Sequence, residues 1–86
     1  MPKLLITHEV DDVAHWTASP KREELFADVA KDIRTFAHPE DGNRVGLTME
    51  VTDIAAFEAV VSSEAGGEAM KYDGVRPDTI EVYVES

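Results

Sequence analysis

The chain has 86 residues, no cysteine and a formal net charge of −10. At that length it is expected to form one domain, residues 1–86, burying only about 60–65% of its unfolded surface, a size at which oligomerisation often adds stability. The missing cysteine excludes a disulfide framework, a thiol nucleophile and a thiolate metal site, and the negative charge argues against nucleic acid or an anionic membrane as partner.

Lys3 to Val10 is rich in Leu, Ile, Thr and Val and reads as a strand. Its alternation puts Leu4, Ile6, His8 and Val10 on one face and Leu5, Thr7 and Glu9 on the other. Asp11 or Asp12 suits a helix N-cap, with Val13 and Trp16 on the buried face of a short helical turn. Ser19-Pro20 restarts the helix: Ser caps, Pro fits the first helical position, and Glu23 and Glu24 favour its positive end. Arg22 leads into the apolar stripe Leu25, Phe26 and Val29, and the helix is expected to fade by Ala30 or Lys31.

Ile33 to His38 alternates as a second strand, and the turn PEDGN leads into a third, in which Val45, Leu47, Met49 and Val51 alternate with Gly46, Thr48 and Glu50. Thr52 or Asp53 caps a helix with the stripe Ile54, Phe57, Val60 and Val61. Ser62-Ser63 breaks it and recaps a second piece, whose expected buried residues are Ala65, Ala69 and Met70. Gly66-Gly67 should weaken that piece by about 1 kcal/mol per glycine, and Gly74 stops it. After Pro77, Thr79 to Glu85 reads as the last strand.

The order β-α-β-β-α-β with right-handed crossovers predicts an α+β, ferredoxin-like domain. Its four-stranded antiparallel sheet has the order 4-1-3-2, and the broken helices cover one face. The other face would carry Thr7, Glu9, Gly46, Thr48, Glu50, Glu81 and Tyr83, with Leu5 and Phe36. No apolar run reaches the ~18 residues of a membrane span. The start, MPKLLITHEV, has no signal-peptide pattern, so a cytoplasmic protein is expected.

Strand direction brings the chemistry together. His8 and His38 reach the same end of the sheet, where the first helix brings His15 and Trp16 and the second brings Tyr72 and Asp73. His8, on the helix-facing side, is the candidate general acid/base, because an imidazole titrates near ~6.5. A half-buried histidine held by a backbone carbonyl is the plainer alternative. Trp16, Phe36, His38, Tyr72 and His15 are the candidate ligand-binding residues, weighed against ordinary packing or turn roles. His8 and His15 are seven residues apart on different elements, so the helical His-x-x-x-His logic of zinc sites does not apply and no metal is expected. The sequence holds no dinucleotide, phosphate-loop or serine-nucleophile signature, and no cofactor is expected.

The stretches MPKLLITHEVDDVAHW, with its break before SPKREELF, and SSEAGGEAMKYDGV before the last strand resemble small bacterial members of the dimeric α/β-barrel superfamily. That superfamily includes antibiotic-biosynthesis monooxygenases, polyketide cyclases, haem-degrading oxygenases, lactone isomerases and stress-responsive barrels. The resemblance implies a homodimer packed through the open sheet face, forming a dimeric α/β barrel. It also implies a pocket for a small hydrophobic ligand between each sheet and its helices. Two functions follow: a cofactor-independent cyclase, isomerase or monooxygenase with His8 moving the proton, or a non-catalytic stress-type or metabolite-binding dimer. Haem would need a helical histidine, for which only His15 is available, on the first rather than the usual later helix.

Overall fold

A computed structural model describes residues 2–86. The alternation of the first strand sets the fold's two faces. Leu4, Ile6, His8 and Val10 are all buried, while Leu5 on the opposite side is exposed. Eight elements follow in order: β1 (Lys3–Val10), α1 (Val13–Ala18), α2 (Lys21–Phe26), β2 (Ala30–Ala37), β3 (Arg44–Val51), α3 (Ile54–Val61), α4 (Glu64–Asp73) and β4 (Val75–Val84). The strands pair antiparallel in the order β2-β3-β1-β4. This is the ferredoxin-like α+β arrangement, with each crossover helix split in two.

Short polar side chains start the helices because free backbone N–H groups there need acceptors. Asp12 accepts from the His15 amide at 3.1 Å, Asp53 from Ala56 at 2.7 Å and Ser63 from Gly66 at 3.1 Å. Ser19 Oγ accepts from the Lys21 amide, and Pro20 precedes the helix rather than lying within it. Gly74 ends α4 at φ 70°, a left-handed position suited to glycine. The Gly74 carbonyl then accepts from the Asp11 amide at 3.0 Å, which ties α4 to the end of β1.

Three local expectations need correction. β2 begins at Ala30, not Ile33, because α2 stops at Phe26 and Ala30 and Lys31 already pair with Val51 and Glu50. The register then slips between Lys31 and Arg34, with Asp32 in the left-handed region at φ 54°, which aspartate tolerates better than most residues. β4 begins at Val75, ahead of Pro77, and its pairing with β1 shifts between Thr7 and Glu9. Proline cannot donate to the ladder there. Thr79 bridges the irregularity: its hydroxyl accepts from the Glu9 amide at 2.9 Å and donates to the Arg76 carbonyl at 2.6 Å. On α4, Ala65 is exposed and Gly66 takes the buried place.

The core lies between sheet and helices. It joins the inward residues of β1 and β3 to Trp16, Phe26 and Phe57. Phe26 and Phe57 stack at 5.4 Å, which locks α2 against α3.

Candidate active site in the sheet–helix cavity

A cavity of about 110 Å³ opens between the helix-facing side of the sheet and the helices. One buried water needs only about 10–15 Å³ by the same kind of measure, so there is room for a small organic molecule. Its walls are apolar residues from β1, β3 and β4 and from all four helices, among them Ile6, Leu47, Phe57, Ala69 and Ile80. Among the described residues, Val82 on the edge strand β4 is the only exposed wall residue, so the cavity opens there. Ionisable groups enter at three points: His8, Arg22 and Asp73.

His8 reaches the cavity because β1 alternates. It pairs with Val45 of β3, while on the β4 side the register shifts between Thr7 and Glu9 and leaves it without a partner. Its Nδ1 lies 3.4 Å from the Glu9 carbonyl oxygen, a long contact in which the ring nitrogen donates. That tautomer leaves Nε2 as the acceptor. The Trp16 indole meets the imidazole edge-on, with ring centroids 5.6 Å apart. Burial pushes the His8 pKa below 6.5; the Glu9 carbonyl opposes this, Arg22 adds to it and Asp73 opposes it. His8 is therefore neutral at pH 7 and able to accept a proton.

This carries a stability consequence. Below about pH 6.5 the unfolded chain takes up a proton on His8 that the folded chain resists. The stability specific to His8 is present above that value and is lost as pH falls towards the folded pKa. A His8→Gln variant should therefore lose less melting temperature than wild type between pH 7.5 and 5.5. Parallel losses in thermal melts would show that His8 is not held neutral by burial.

Arg22 comes from the first turn of α2 and Asp73 from the last turn of α4, close enough that each charge is felt at His8. Arg22 is 8% exposed and Asp73, the last residue of α4, is 5% exposed. The guanidinium lies 4.5 Å from the indole centre and donates from Nη1 to the Trp16 carbonyl at 3.3 Å. Burial lowers the Arg22 pKa and the Asp73 charge opposes that. An arginine stays charged throughout the working range. Arg22 Nε and Asp73 Oδ1 are buried without a hydrogen-bond partner among the described residues.

In the sequence, strand direction puts Asp73 at this end and periodicity puts Arg22 at the head of an apolar stripe, with no site role for either. The available signal was position. Arg22 precedes Phe26 by four residues on one helix face, and Asp73 directly precedes the glycine that turns the chain into β4.

Of the six candidates read from the sequence, His8 and Trp16 line the cavity and the other four lie outside it. Phe36 is 54% exposed on the open side of the sheet, because it pairs with Gly46, which pairs with Thr7. His38 Nδ1 accepts from the Glu40 and Asp41 amides at 3.1 and 2.9 Å and shapes the β2–β3 turn. His15 donates from Nε2 to the Tyr72 carbonyl at 2.9 Å, which satisfies an end of α4. Its ring lies 5.0 Å from the Tyr72 ring, and Lys21 Nζ lies 5.2 Å from the Tyr72 ring on the outer surface. Among the described residues, no three His, Cys, Asp or Glu side chains cluster as a metal site would require. No helix there is long and apolar enough to cross a membrane.

Fold and cavity together define a class: ferredoxin-like domains with a chamber between sheet and helices. Solved structures of antibiotic biosynthesis monooxygenase type share the fold. One antibiotic biosynthesis monooxygenase superposes with a TM-score of 0.66 at 16% identity, covering 100% of this chain and 97% of its own. SnoaB, a cofactor-independent oxygenase from Streptomyces nogalater, gives 0.71 at 13% identity over 99% and 90% of the two chains. PA3566 from Pseudomonas aeruginosa gives 0.61 at 11% identity over 98% and 90%. No protein-family model matches the chain. No curated protein matches it in sequence either.

Proposed function

We propose that this protein binds a small, largely apolar, oxygen-bearing metabolite in the sheet–helix cavity, and that His8 moves a proton on it without a metal or organic cofactor. The observation that carries this is a buried imidazole, kept neutral, facing an apolar chamber beside Trp16. His8 Nε2 would take a proton from a carbon made acidic by a neighbouring carbonyl. Returning that proton elsewhere on the ligand gives isomerisation, and returning it after ring closure gives cyclisation. An oxygenation at the same carbon would need dioxygen as second substrate. SnoaB, described as a cofactor-independent oxygenase, shares the fold and supports chemistry of this kind. The acidic, cysteine-free composition suits a cytoplasmic setting.

The working unit in this proposal is a homodimer joined through the open sheet face. Leu5, Phe36 and Tyr83 stand 42%, 54% and 50% exposed there, and a shallow depression over Gly46 lies between Phe36 and Leu5. Two of the acidic residues of that face have partners. Glu9 pairs with Arg76 at 3.0 Å and Arg44 at 3.8 Å, and Glu81 accepts from the Tyr83 hydroxyl at 3.2 Å. That lowers the cost of bringing the face against a second copy.

A non-catalytic metabolite-binding dimer is the second reading. It is favoured by the commitment of His15 and His38 to backbone contacts, which leaves His8 without a second histidine for proton relay. Native mass spectrometry of the chain purified from its own host tests the proposal. A dimer carrying a reproducible small adduct is expected, and the adduct mass gives the compound class for turnover assays. A monomer would overturn the face-to-face pairing. Unchanged turnover of that compound by a folded His8→Ala variant would leave the binding reading and remove the catalytic one.

A further inference from the structure

Arg22 and Asp73 are opposite charges buried at the same end of one cavity, yet no ion pair forms between them among the described residues. Each is held by its own helix. The Arg22 guanidinium is fixed against the Trp16 ring and carbonyl, and the Asp73 backbone is set by the last turn of α4 before Gly74. Fixed in this way, they leave one donor, Arg22 Nε–H, and one acceptor, Asp73 Oδ1, without partners in an otherwise apolar chamber. Buried polar atoms of native proteins are rarely left so.

We infer that Arg22 and Asp73 form a two-point clamp for a neutral hydroxy-carbonyl group, with Arg22 Nε donating to the carbonyl oxygen and Asp73 Oδ1 accepting from the neighbouring hydroxyl. The inference rests on the cavity being the ligand site and names the class of ligand it takes. Charge decides against a carboxylate or phosphate ligand. The guanidinium and the carboxylate already balance, so an anion would add an uncompensated buried charge. Shape decides against a purely apolar ligand, which would leave both polar atoms without partners. The clamp grips the end of the ligand that lies nearest Trp16 and His8, the end at which a carbonyl-activated carbon would be found.

Calorimetric titration of the full-length protein with four single-ring probes tests the assignment: α-hydroxyacetophenone, acetophenone, benzoate and ethylbenzene. The hydroxyketone should bind about tenfold or more tighter than acetophenone, because a site built to pair a hydroxyl discriminates against the analogue lacking it. Benzoate and ethylbenzene should be weaker still. Arg22→Met should weaken the hydroxyketone and acetophenone alike, and Asp73→Leu, which removes the acceptor, should erase the difference between those two. If those variants do not fold, the ranking on wild type decides alone. Equal affinity for ethylbenzene and the hydroxyketone would keep the cavity as a binding site and overturn the clamp. Benzoate binding tightest would overturn the neutral-ligand assignment. Binding of none of the four would overturn the reading of the cavity as a ligand site, and the clamp with it.

Discussion

Trp16→Ala is expected to remove about 3–5 kcal/mol of folding stability, the range for deleting a large buried aromatic side chain. An 86-residue domain has roughly 4–13 kcal/mol in all, so the variant should sit near the edge of folding. Trp16 is 2% exposed and heads the fully buried side chains by volume. It also touches two of the three ionisable groups of the cavity. Its edge meets His8, and its face carries the Arg22 guanidinium. The Arg22 bond to the Trp16 carbonyl survives the substitution, but the surface under the guanidinium does not. Trp16→Phe should therefore keep the fold and lose part of the ordering of Arg22. Far-UV circular dichroism during urea titration is the suitable measurement, because Trp16 is the only tryptophan and its fluorescence goes with it. A loss below about 1 kcal/mol for the alanine variant would refute the role of Trp16 as the central filler of this end.

The second large effect separates two adjacent glycines. Gly66→Ala should destabilise by about 3 kcal/mol, the upper range for forcing an extra carbon into a packed site. A Cβ at Gly66 would collide with the backbone carbonyls of Val60 and Val61, the latter oxygen at 2.5 Å and its carbon at 2.9 Å. Backbone at the end of α3 cannot swing aside as a side chain would. Gly67→Ala should do the opposite. Nothing lies within 4 Å of a Cβ there, so the helix gains the propensity difference of up to about 1 kcal/mol. Thermal melts of the two single variants, run side by side, would falsify this account if their shifts share a sign.

That pair shows where sequence reading stops. Both glycines look alike in EAGGEAM, and propensity alone scores both as weak points in a helix. Only the close approach of α3 shows that one of them is required. The same holds for the strands. The alternation of Leu4, Ile6, His8 and Val10, the stop at Gly74 and, to within one residue, the caps that prove to be Asp12, Asp53 and Ser63 are legible, because each depends on neighbours a few residues away. The early starts of β2 and β4 are not, because slips at Asp32 and around Pro77 hide the pairing of Ala30 and Val75 from a search for clean alternation.

Within the site, His8 and Trp16 follow from strand and helix periodicity. Arg22 and Asp73 escaped notice as functional groups because charged residues on short helices are ordinarily solvated. Their burial depends on helix ends meeting across about fifty residues of chain. The open-face position that the sequence gives Phe36 is itself incompatible with a place in the sheet–helix cavity. The register of Phe36 opposite Gly46 puts it on the same side as Thr7.

The sheet order has a consequence for assembly. β1 is a central strand, yet one neighbour, β3, lies some forty residues away and the other, β4, about eighty, with Leu4 opposite both Met49 and Val84. Closing the longer loop costs more chain entropy, and such distant pairings are slow to form. Val75, Ile80 and Val82 of β4 are also cavity wall. No folding route can therefore complete the chamber before the last strand docks. Until then the chamber lacks its β4 wall, and a nascent chain cannot hold a ligand in the finished chamber until Val82 has been synthesised and released.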